Sequence, residues 1–128
     1  MCGFVCLYRP QGLKEQDLPM VEKMNEIIAH RGPDDYGVYS DSKAILGFRR
    51  LSINDLANGH QPYSYDKGRL NIVFNGEIYN YRELRKDLQE LGYEFVTDSE
   101  VEVIGAAYTQ YGKKYVDYLR GMYAIVIR

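Results

Sequence analysis

Residues 70–92, LNIVFNGEIYNYRELRKDLQELG, carry the clearest secondary-structure signals of the chain. Residues 70–74 form a strongly apolar run that predicts a β-strand, and this strand is expected to end at Asn75-Gly76. The rest of the stretch has the apolar spacing of an amphipathic helix. Strand and helix therefore follow each other directly, which favours a fold of mixed class.

The predicted helix has recognisable start and stop signals. Asn80 is a suitable N-cap residue, and Glu83 three positions later completes a capping box. Gly92 suits the position just beyond the helix C-terminus. The side chains expected on its apolar stripe are Leu84, Leu88 and Leu91.

Outside this stretch, strands and helices alternate without a regular βαβ pattern. Ser99 and Glu102 form a second capping box, and Gly112 marks the end of that helix. Strands are predicted at 3–8, 38–39, 44–53, 93–97 and 122–127, and helices at 20–28, 99–112 and 115–119. The first and last strands are continuous apolar runs, typical of strands buried on both faces. The mixture indicates the α+β class.

The composition limits the classes of function. The chain has 128 residues, which fit a single domain over 1–128, and its net charge is -2. Without a basic face, nucleic acid is not expected as a partner. No apolar run approaches the roughly 20 residues of a membrane helix, and no signal-peptide pattern is visible, so no membrane association is expected.

The two cysteines fit the reducing cytosol, and we expect a cytoplasmic protein. In an extended strand the Cα atoms of Cys2 and Cys6 would be about 13 Å apart, which is beyond disulfide reach. Only His30 and His60 could join them around zinc, and a second paired motif is lacking, so no metal site is expected. Cys6 is interpreted as a small buried apolar residue.

Cys2 is the main candidate nucleophile. Aminopeptidases remove an initiator Met1 when a small residue follows it, and this would leave Cys2 with both a thiol and an α-amine. The reference pKa of an α-amine is about 7.7–8.0, so part of it can act as a base near neutral pH. A thiol beside such a base is a self-contained nucleophile. Activity would therefore depend on the removal of Met1.

Asn75-Gly76 has two interpretations. An amide side chain beside an unencumbered backbone N–H offers the two neutral donors of an oxyanion hole. The same dipeptide is the strongest signal for a type I′ turn, although the chain continues into a helix rather than a second strand. Both interpretations remain open from the pattern alone.

The charged residues at element ends also have two interpretations each. Strand alternation sends Arg49 and Arg50 to opposite faces, and an inward arginine would require a carboxylate partner. Asp98 suits a helix N-terminus, and it could also receive a substrate ammonium. Asp34-Asp35 is interpreted as turn material rather than a pair of metal ligands.

The two histidines have ordinary structural interpretations. His30 fits a residue that caps the C-terminus of the helix predicted at 20–28, and His60 fits a solvated position in a loop rich in Asn, Asp and Gly.

Taken together and in order, several segments resemble the glutaminase domain of class II glutamine amidotransferases, in the asparagine synthetase branch. They are Met-Cys-Gly at 1–3, HRGPD at 30–34, RRLSI at 49–53, NGEIYNY at 75–81, the Asp-Ser-Glu helix start at 98–100 and LRGMYAI at 119–125. The resemblance spans nearly the whole chain. It implies an N-terminal-nucleophile fold, an αββα sandwich of two antiparallel sheets between helices.

The resemblance also implies a role for individual residues. Cys2 would attack the side-chain amide of L-glutamine, and Asn75 with the Gly76 N–H would hold the oxyanion. Arg50 would pair with the substrate α-carboxylate, and Glu77 and Asp98 would receive its α-ammonium. Leu51 and Ile53 complete the implied substrate-binding set.

Members of the family carry more chain than residues 1–128. Further strands complete the second sheet, and a synthetase domain uses ATP and Mg to adenylate aspartate and receives the ammonia; the glutaminase domain itself needs no cofactor. We therefore expect a partial domain with an exposed apolar edge that is either marginally stable or self-associates into a homo-oligomer.

Two other functions are compatible with the sequence. A non-catalytic glutamine-binding or regulatory domain would keep the pocket without turnover. A thiol-dependent hydrolase of another small amide would keep Cys2 without needing both Arg50 and Asp98.

Overall fold

The computed structural model describes residues 2–52 and 59–128, which form two three-stranded antiparallel sheets. Met1 and the predicted strand end at Ile53 lie outside the described residues. In the first sheet, β3 (Ala44–Arg50) lies between β1 (Gly3–Tyr8) and β2 (Asp35–Ser40). In the second sheet, β5 (Leu70–Ile78) lies between β4 (Tyr63–Tyr65) and β6 (Gly121–Ile127).

Helices cover the outer face of each sheet. α1 (Asp17–Ile27) lies on the first sheet, and its Asn25 side chain packs directly over Gly47 of β3. α2 (Tyr81–Glu90) and α3 (Glu100–Tyr111) pack on the second sheet. Two short 3-10 helices, Ala29–Arg31 and Gly112–Tyr118, follow α1 and α3. Within the described ranges, no helix is both long and apolar enough to cross a membrane.

The side chains of β5 point alternately to two different cores. Its even-numbered residues join the larger core with α2 and α3, which includes Leu70, Ile72, Phe74, Ile78, Leu84, Leu88, Val101 and Ile104. The odd-numbered Val73 points the other way and packs against Leu46 and Phe48 of β3. The layers are therefore helix, sheet, sheet and helix, which confirms the predicted α+β class and αββα arrangement.

The prediction that the first and last strands are buried on both faces is wrong. β1 and β6 each lie at the edge of a sheet, and both are only partly buried. Cys6 on β1 is exposed rather than buried. An apolar run indicates a strand, but the order of strands in the sheet decides how much of it is covered.

The predicted capping boxes do not form, although both helices begin where they predict. Asn80 is the residue before α2, but its side chain accepts from the Arg120 N–H at 2.9 Å and donates to the Tyr118 carbonyl at 2.9 Å. These contacts attach the start of α2 to the chain that leads into β6. A tertiary contact has therefore replaced the local cap. Gly92 adopts a φ of 97°, as expected for a glycine that ends a helix.

Residues 93–97 do not form the predicted strand. The carboxylate of Glu102 accepts the N–H groups of Val96 at 2.9 Å and Thr97 at 2.7 Å, which fixes this segment as a loop in front of α3. Ser99 is the N-cap residue of α3 but makes no side-chain cap hydrogen bond. The Glu102 carboxylate thus binds the loop and does not form the predicted capping box.

Some apolar residues of the predicted helix stripes are exposed. On α1 the buried positions are Asp17, Val21 and Asn25, so the buried stripe is largely polar. On α2, Leu84 and Leu88 are buried as predicted. In the helix predicted at 20–28, the apolar residues Met20, Met24 and Ile27 are exposed. Leu91, predicted on the stripe of the second helix, is exposed as well.

An ion pair joins the two sheets at one end. Arg128, just after β6, lies 2.6 Å from Asp41 in the turn between β2 and β3. The Arg128 guanidinium is the main reason that the pKa of Asp41 lies well below its usual range. Asn71 exchanges two backbone hydrogen bonds with Arg128, at 2.7 and 2.9 Å, so the start of β5 belongs to the same end.

Asp17 anchors the chain between β1 and α1. Its fully buried carboxylate accepts two hydrogen bonds from Arg9, at 2.7 and 3.0 Å, and one from the Lys14 N–H at 2.8 Å. These bonds, chiefly that from Arg9, lower the pKa of Asp17. A lowered pKa means that the stabilisation is present above the unfolded-state value of about 3.9 and is lost as the pH falls through the folded-state value.

We expect Asp17→Asn to melt below the wild type at pH 7, with a difference that shrinks as the pH is lowered below about 4. The physical reason is that acid protonates Asp17 in the wild type and removes the interaction that the variant already lacks. Thermal unfolding between pH 7 and pH 3 measures this, with Glu15→Gln as an exposed control two residues away. A difference that stays constant over this range would contradict the assignment.

Candidate functional site

The candidate site lies between the two sheets, at the end opposite the Asp41–Arg128 ion pair. Cys2 and Phe4 pack against the inter-sheet cluster of Leu46, Phe48 and Val73. Side chains two residues apart share a face of a strand, so Arg50 on β3 faces the same space as Phe48. By the same rule Asn75 and Glu77 face this space together with Val73. Both sheets therefore contribute predicted site residues to one gap.

The Cys2 thiol is held by the backbone of Leu51. The Leu51 N–H donates to Sγ at 3.3 Å, and Sγ lies 3.7 Å from the Leu51 carbonyl oxygen. Arg31 donates from Nε to the Cys2 carbonyl at 3.2 Å, so the residue is fixed on both sides. The thiol is unpaired and half-buried. Of the implied substrate-binding set, Leu51 is thus in contact with Cys2.

Arg50 points inward, as the alternation predicts for one of the two arginines. It is only 8% exposed and lines an open cleft of about 560 Å³ with Asp34, Asp35 and Ser52. Asp35 is its cross-strand neighbour, and Arg50 contributes to lowering the pKa of that carboxyl, after the larger effect of His60. Arg50 therefore has a carboxylate beside it, as an inward arginine requires.

Arg49 lies on the opposite face of β3. It donates from Nε to the Asn25 carbonyl at 2.9 Å, and its guanidinium lies 4.9 Å from the centre of the Tyr36 ring. Adjacent arginines on one strand thus have separate environments, which confirms the predicted alternation.

Asp34 and Asp35 do more than form a turn. The Asp34 carboxylate accepts the Ser52 N–H at 2.7 Å, and its own N–H donates to the Arg50 carbonyl at 3.0 Å. These two bonds hold residues 50–52 in place. This segment carries Arg50 and contacts the Cys2 thiol through Leu51. Asp35 accepts from His60 Nδ1 at 2.8 Å, so His60 is attached to β2 rather than only solvated.

His30 contacts the Ile27 carbonyl through Nδ1 at 3.1 Å, which agrees with its interpretation as a C-terminal helix residue. Among residues 2–52 and 59–128, no group of three or more His, Cys, Asp or Glu side chains is arranged to hold a metal ion.

Asn75 and Gly76 lie inside β5, not after it. They pair with Ala124 and Tyr123 of β6, so both the predicted strand end and the type I′ turn are wrong. Gly76 has a φ of 138°, and a Cβ there would overlap the Met122 carbonyl oxygen. A strand can continue through this position because glycine tolerates both the positive φ and the close approach of β6.

The acidic residues lie at the far end of β5 and the start of α3. Asp98 has a side chain that is 95% exposed, and it lies 3.6 Å from Arg85. Burial raises the pKa of the Glu100 carboxyl, a hydrogen bond from the Ile78 N–H opposes this, and nearby Glu77 raises it further. Asp98 is therefore placed at the helix start but on the outside, whereas Glu77 faces the gap. Ile53 lies outside the described residues.

Comparison with known proteins gives consistent matches. The family described as "Glutamine amidotransferase domain" matches residues 1–128. The chain is 46% identical, over 99% of its length, to glutamine-hydrolyzing asparagine synthetase 1 of Bacillus subtilis (strain 168). It is 35% identical, over 99% of its length, to glutamine-hydrolyzing asparagine synthetase 1 of Arabidopsis thaliana. The chain spans 20% and 21% of the lengths of these two relatives.

A solved structure supports the fold. Glutamine phosphoribosylpyrophosphate amidotransferase from B. subtilis, complexed with ADP and GMP, matches with a TM-score of 0.57 and 26% identity. The match covers 69% of this chain and 21% of that chain.

Proposed function

Because this chain belongs to the family of glutamine amidotransferase domains, homologous to those of asparagine synthetases, we propose that it hydrolyses L-glutamine through Cys2. The observation that carries this proposal is the environment of the thiol. Cys2 is held by Leu51, the residue after the inward Arg50, and packs against the inter-sheet cluster that includes Val73, whose strand face Asn75 shares. A nucleophile, a cation and an amide donor thus come from strand faces that are turned toward the space between the two sheets.

The proposed reaction begins after Met1 has been removed. Sγ attacks the side-chain amide carbon of glutamine, and the thiol proton passes to the α-amine of Cys2. The tetrahedral oxyanion is stabilised by the Asn75 amide and the Gly76 N–H. Collapse breaks the C–N bond, and the amine returns the proton to the departing ammonia. Water then hydrolyses the thioester, which releases glutamate and regenerates the thiol.

The two charged ends of glutamine would fix its orientation. Arg50 is proposed to bind the α-carboxylate, with Leu51 and Ile53 beside the substrate, and Glu77 and Asp98 are proposed to receive the α-ammonium. The inward direction of Arg50 and the inward face of Glu77 support this. The exposed Asp98 would bind the ammonium from the outer side of the gap.

The ammonia would be used by a second domain. We propose an ATP- and Mg-dependent synthetase domain as the partner, with aspartate as the acceptor; the length of the homologous synthetases supports this. The glutaminase step itself is proposed to need no cofactor, because the thiol and amine of Cys2 supply its chemistry. A cytoplasmic location is proposed on the basis of the two unpaired thiols.

The test is turnover together with the position of a covalent label. Intact mass should show that Met1 is absent, and glutamine should yield equal amounts of glutamate and ammonia. A glutamine analogue with an electrophilic group in place of the amide should label Cys2, with Cys6 as the internal control. Glutamine binding without hydrolysis by the processed protein would instead indicate a regulatory domain, and preferential turnover of an amide that lacks the amino-acid end would indicate another hydrolase.

We also propose that the chain self-associates through β6. This strand is an edge of the second sheet, and its sequence GMYAIVI contains no charged residue that would discourage pairing. Tyr123→Lys should weaken self-association about fivefold or more, as measured by sedimentation velocity. Tyr36→Lys changes an exposed tyrosine on the edge strand of the other sheet and should have little effect. A monodisperse wild-type monomer would contradict the proposal.

A further inference from the structure

β5 donates its backbone N–H groups alternately to its two sides. The Asn71 N–H binds the Arg128 carbonyl at 2.7 Å, and the Tyr79 N–H binds the Arg120 carbonyl at 2.7 Å, so odd-numbered residues donate toward β6. Even-numbered residues donate toward the opposite side, where β4 pairs only with residues 70–72. Beyond β4 no strand of residues 2–52 and 59–128 covers this side, and the N–H groups that follow along it belong to Phe74, Gly76 and Ile78.

Gln61 is the hydrogen-bond acceptor for the first of these N–H groups. Its Oε1 accepts from the Phe74 N–H at 2.6 Å, and the residue is only 8% exposed. If the register of β4 with β5 continued, Gln61 would lie opposite Phe74 and its backbone carbonyl would accept the Phe74 N–H. The side-chain oxygen of Gln61 accepts this N–H instead. That carbonyl packs instead against Gly37 of β2, where a Cβ would overlap it. Gln61 thus contacts both sheets beside the gap.

Glu100 is the hydrogen-bond acceptor for the last of these N–H groups. It is the first residue of α3, and its Oε2 accepts from the Ile78 N–H at 3.0 Å. The two side chains come from separate parts of the chain and bind β5 at positions four residues apart. The Gly76 N–H lies midway between them.

We propose that Gln61 and Glu100 are positioning residues for the oxyanion hole. By binding the amides on both sides of Gly76, they fix the β5 backbone and leave the Gly76 N–H directed to the side of β5 away from β6, which no described strand covers at this position. They also fix Asn75, which lies between Phe74 and Gly76. This inference rests on the proposed function, because it assigns a purpose to the N–H that would stabilise the oxyanion.

The experiment compares loss and retention of the acceptor at each position in the full chain. Gln61→Met and Glu100→Met remove the acceptor with little change in side-chain length, whereas Gln61→Glu and Glu100→Gln keep it. The oxyanion is absent from bound glutamine and forms only as Sγ attacks, so the methionine variants should lose kcat for glutamine with little change in KM. We expect kcat to fall about tenfold, less than the 10²–10³-fold loss on removing an oxyanion donor. The acceptor-retaining variants should recover most of this loss.

Two controls separate positioning from general instability. Asn71→Leu removes another buried side-chain amide on β5, 7% exposed, at the end away from Gly76; it keeps the two backbone hydrogen bonds to Arg128 and should leave kcat unchanged. The rate of Cys2 alkylation by iodoacetamide, read from the peptide mass, needs no oxyanion hole and should be unchanged in every variant.

The outcomes distinguish this inference from the proposed function. A wild-type chain that lacks Cys2-dependent glutaminase activity would overturn the proposed function itself. Cys2-dependent activity with unchanged kcat in the methionine variants would overturn only the positioning role. Equal loss in Asn71→Leu, or a parallel loss of Cys2 alkylation, would also overturn it.

Discussion

Cys2→Ala is expected to abolish glutamine hydrolysis, with a fall in kcat of about 10⁴-fold or more. No other group in the described site combines a nucleophilic atom with contact to the Leu51 backbone and a position on the inter-sheet face. Alanine removes the atom that forms the thioester and leaves the pocket otherwise intact. Glutamate production at saturating glutamine measures the effect, and glutamine binding by calorimetry should persist.

Cys6→Ala is the matched control. Cys6 lies on β1, which Cys2 immediately precedes, and it is four residues away in the direction of the Asp41–Arg128 end. Its activity should equal that of the wild type. Substantial hydrolysis by Cys2→Ala, or equal losses in both variants, would refute the assignment of the nucleophile.

Arg50→Met is expected to lower kcat/KM for glutamine about hundredfold, mainly through KM. A charge-assisted pair with the substrate α-carboxylate contributes both in the ground state and in the transition state, so its loss weakens binding more than turnover. Methionine keeps the length of an unbranched side chain without the guanidinium. Steady-state kinetics with glutamine measure the change, and thermal melting verifies that the variant is folded.

Two comparisons make this prediction specific. Arg49→Met changes the neighbouring arginine, whose contacts lie on the α1 side of β3, and should leave KM within about twofold of the wild type. A glutamine analogue without the α-carboxylate should be hydrolysed equally slowly by the wild type and by Arg50→Met. A hundredfold difference that persists with this analogue would show that Arg50 acts on something other than the carboxylate.

The elements that the sequence predicts best are those with a strong local signal. The apolar run at 70–74, the glycine at 92 and the alternation of Arg49 and Arg50 all correspond to features of the structure. β4 was not predicted because three residues, Tyr63–Tyr65, are too few to show a period. Residues 93–97 have the composition of a strand, but the carboxylate of Glu102 binds two of their backbone amides in place of a neighbouring strand.

The site is predictable to the extent that it depends on recognisable segments. The sequence names Cys2, Arg50 and Asn75 as candidate site residues, but it does not indicate the residues that contact them. Asp34 was interpreted as turn material, Gln61 gave no signal, and Glu100 was noted only as part of a helix start, because their hydrogen bonds join distant parts of the chain. A buried polar residue in a loop that is otherwise exposed is the feature to examine in such cases.

Rotation of one sheet against the other about the Asp41–Arg128 ion pair would make this pair the pivot. From Asn71 at this pivot to Gly76 the strand extends about 17 Å, at the usual rise per residue. A rotation of one sheet against the other by one degree would therefore displace the oxyanion donors from the thiol by about 0.3 Å, and catalytic groups tolerate errors of only about 0.5 Å. The angular tolerance at the pivot is thus about two degrees. A small change at this distant surface contact is therefore expected to produce a larger displacement at the reacting atoms.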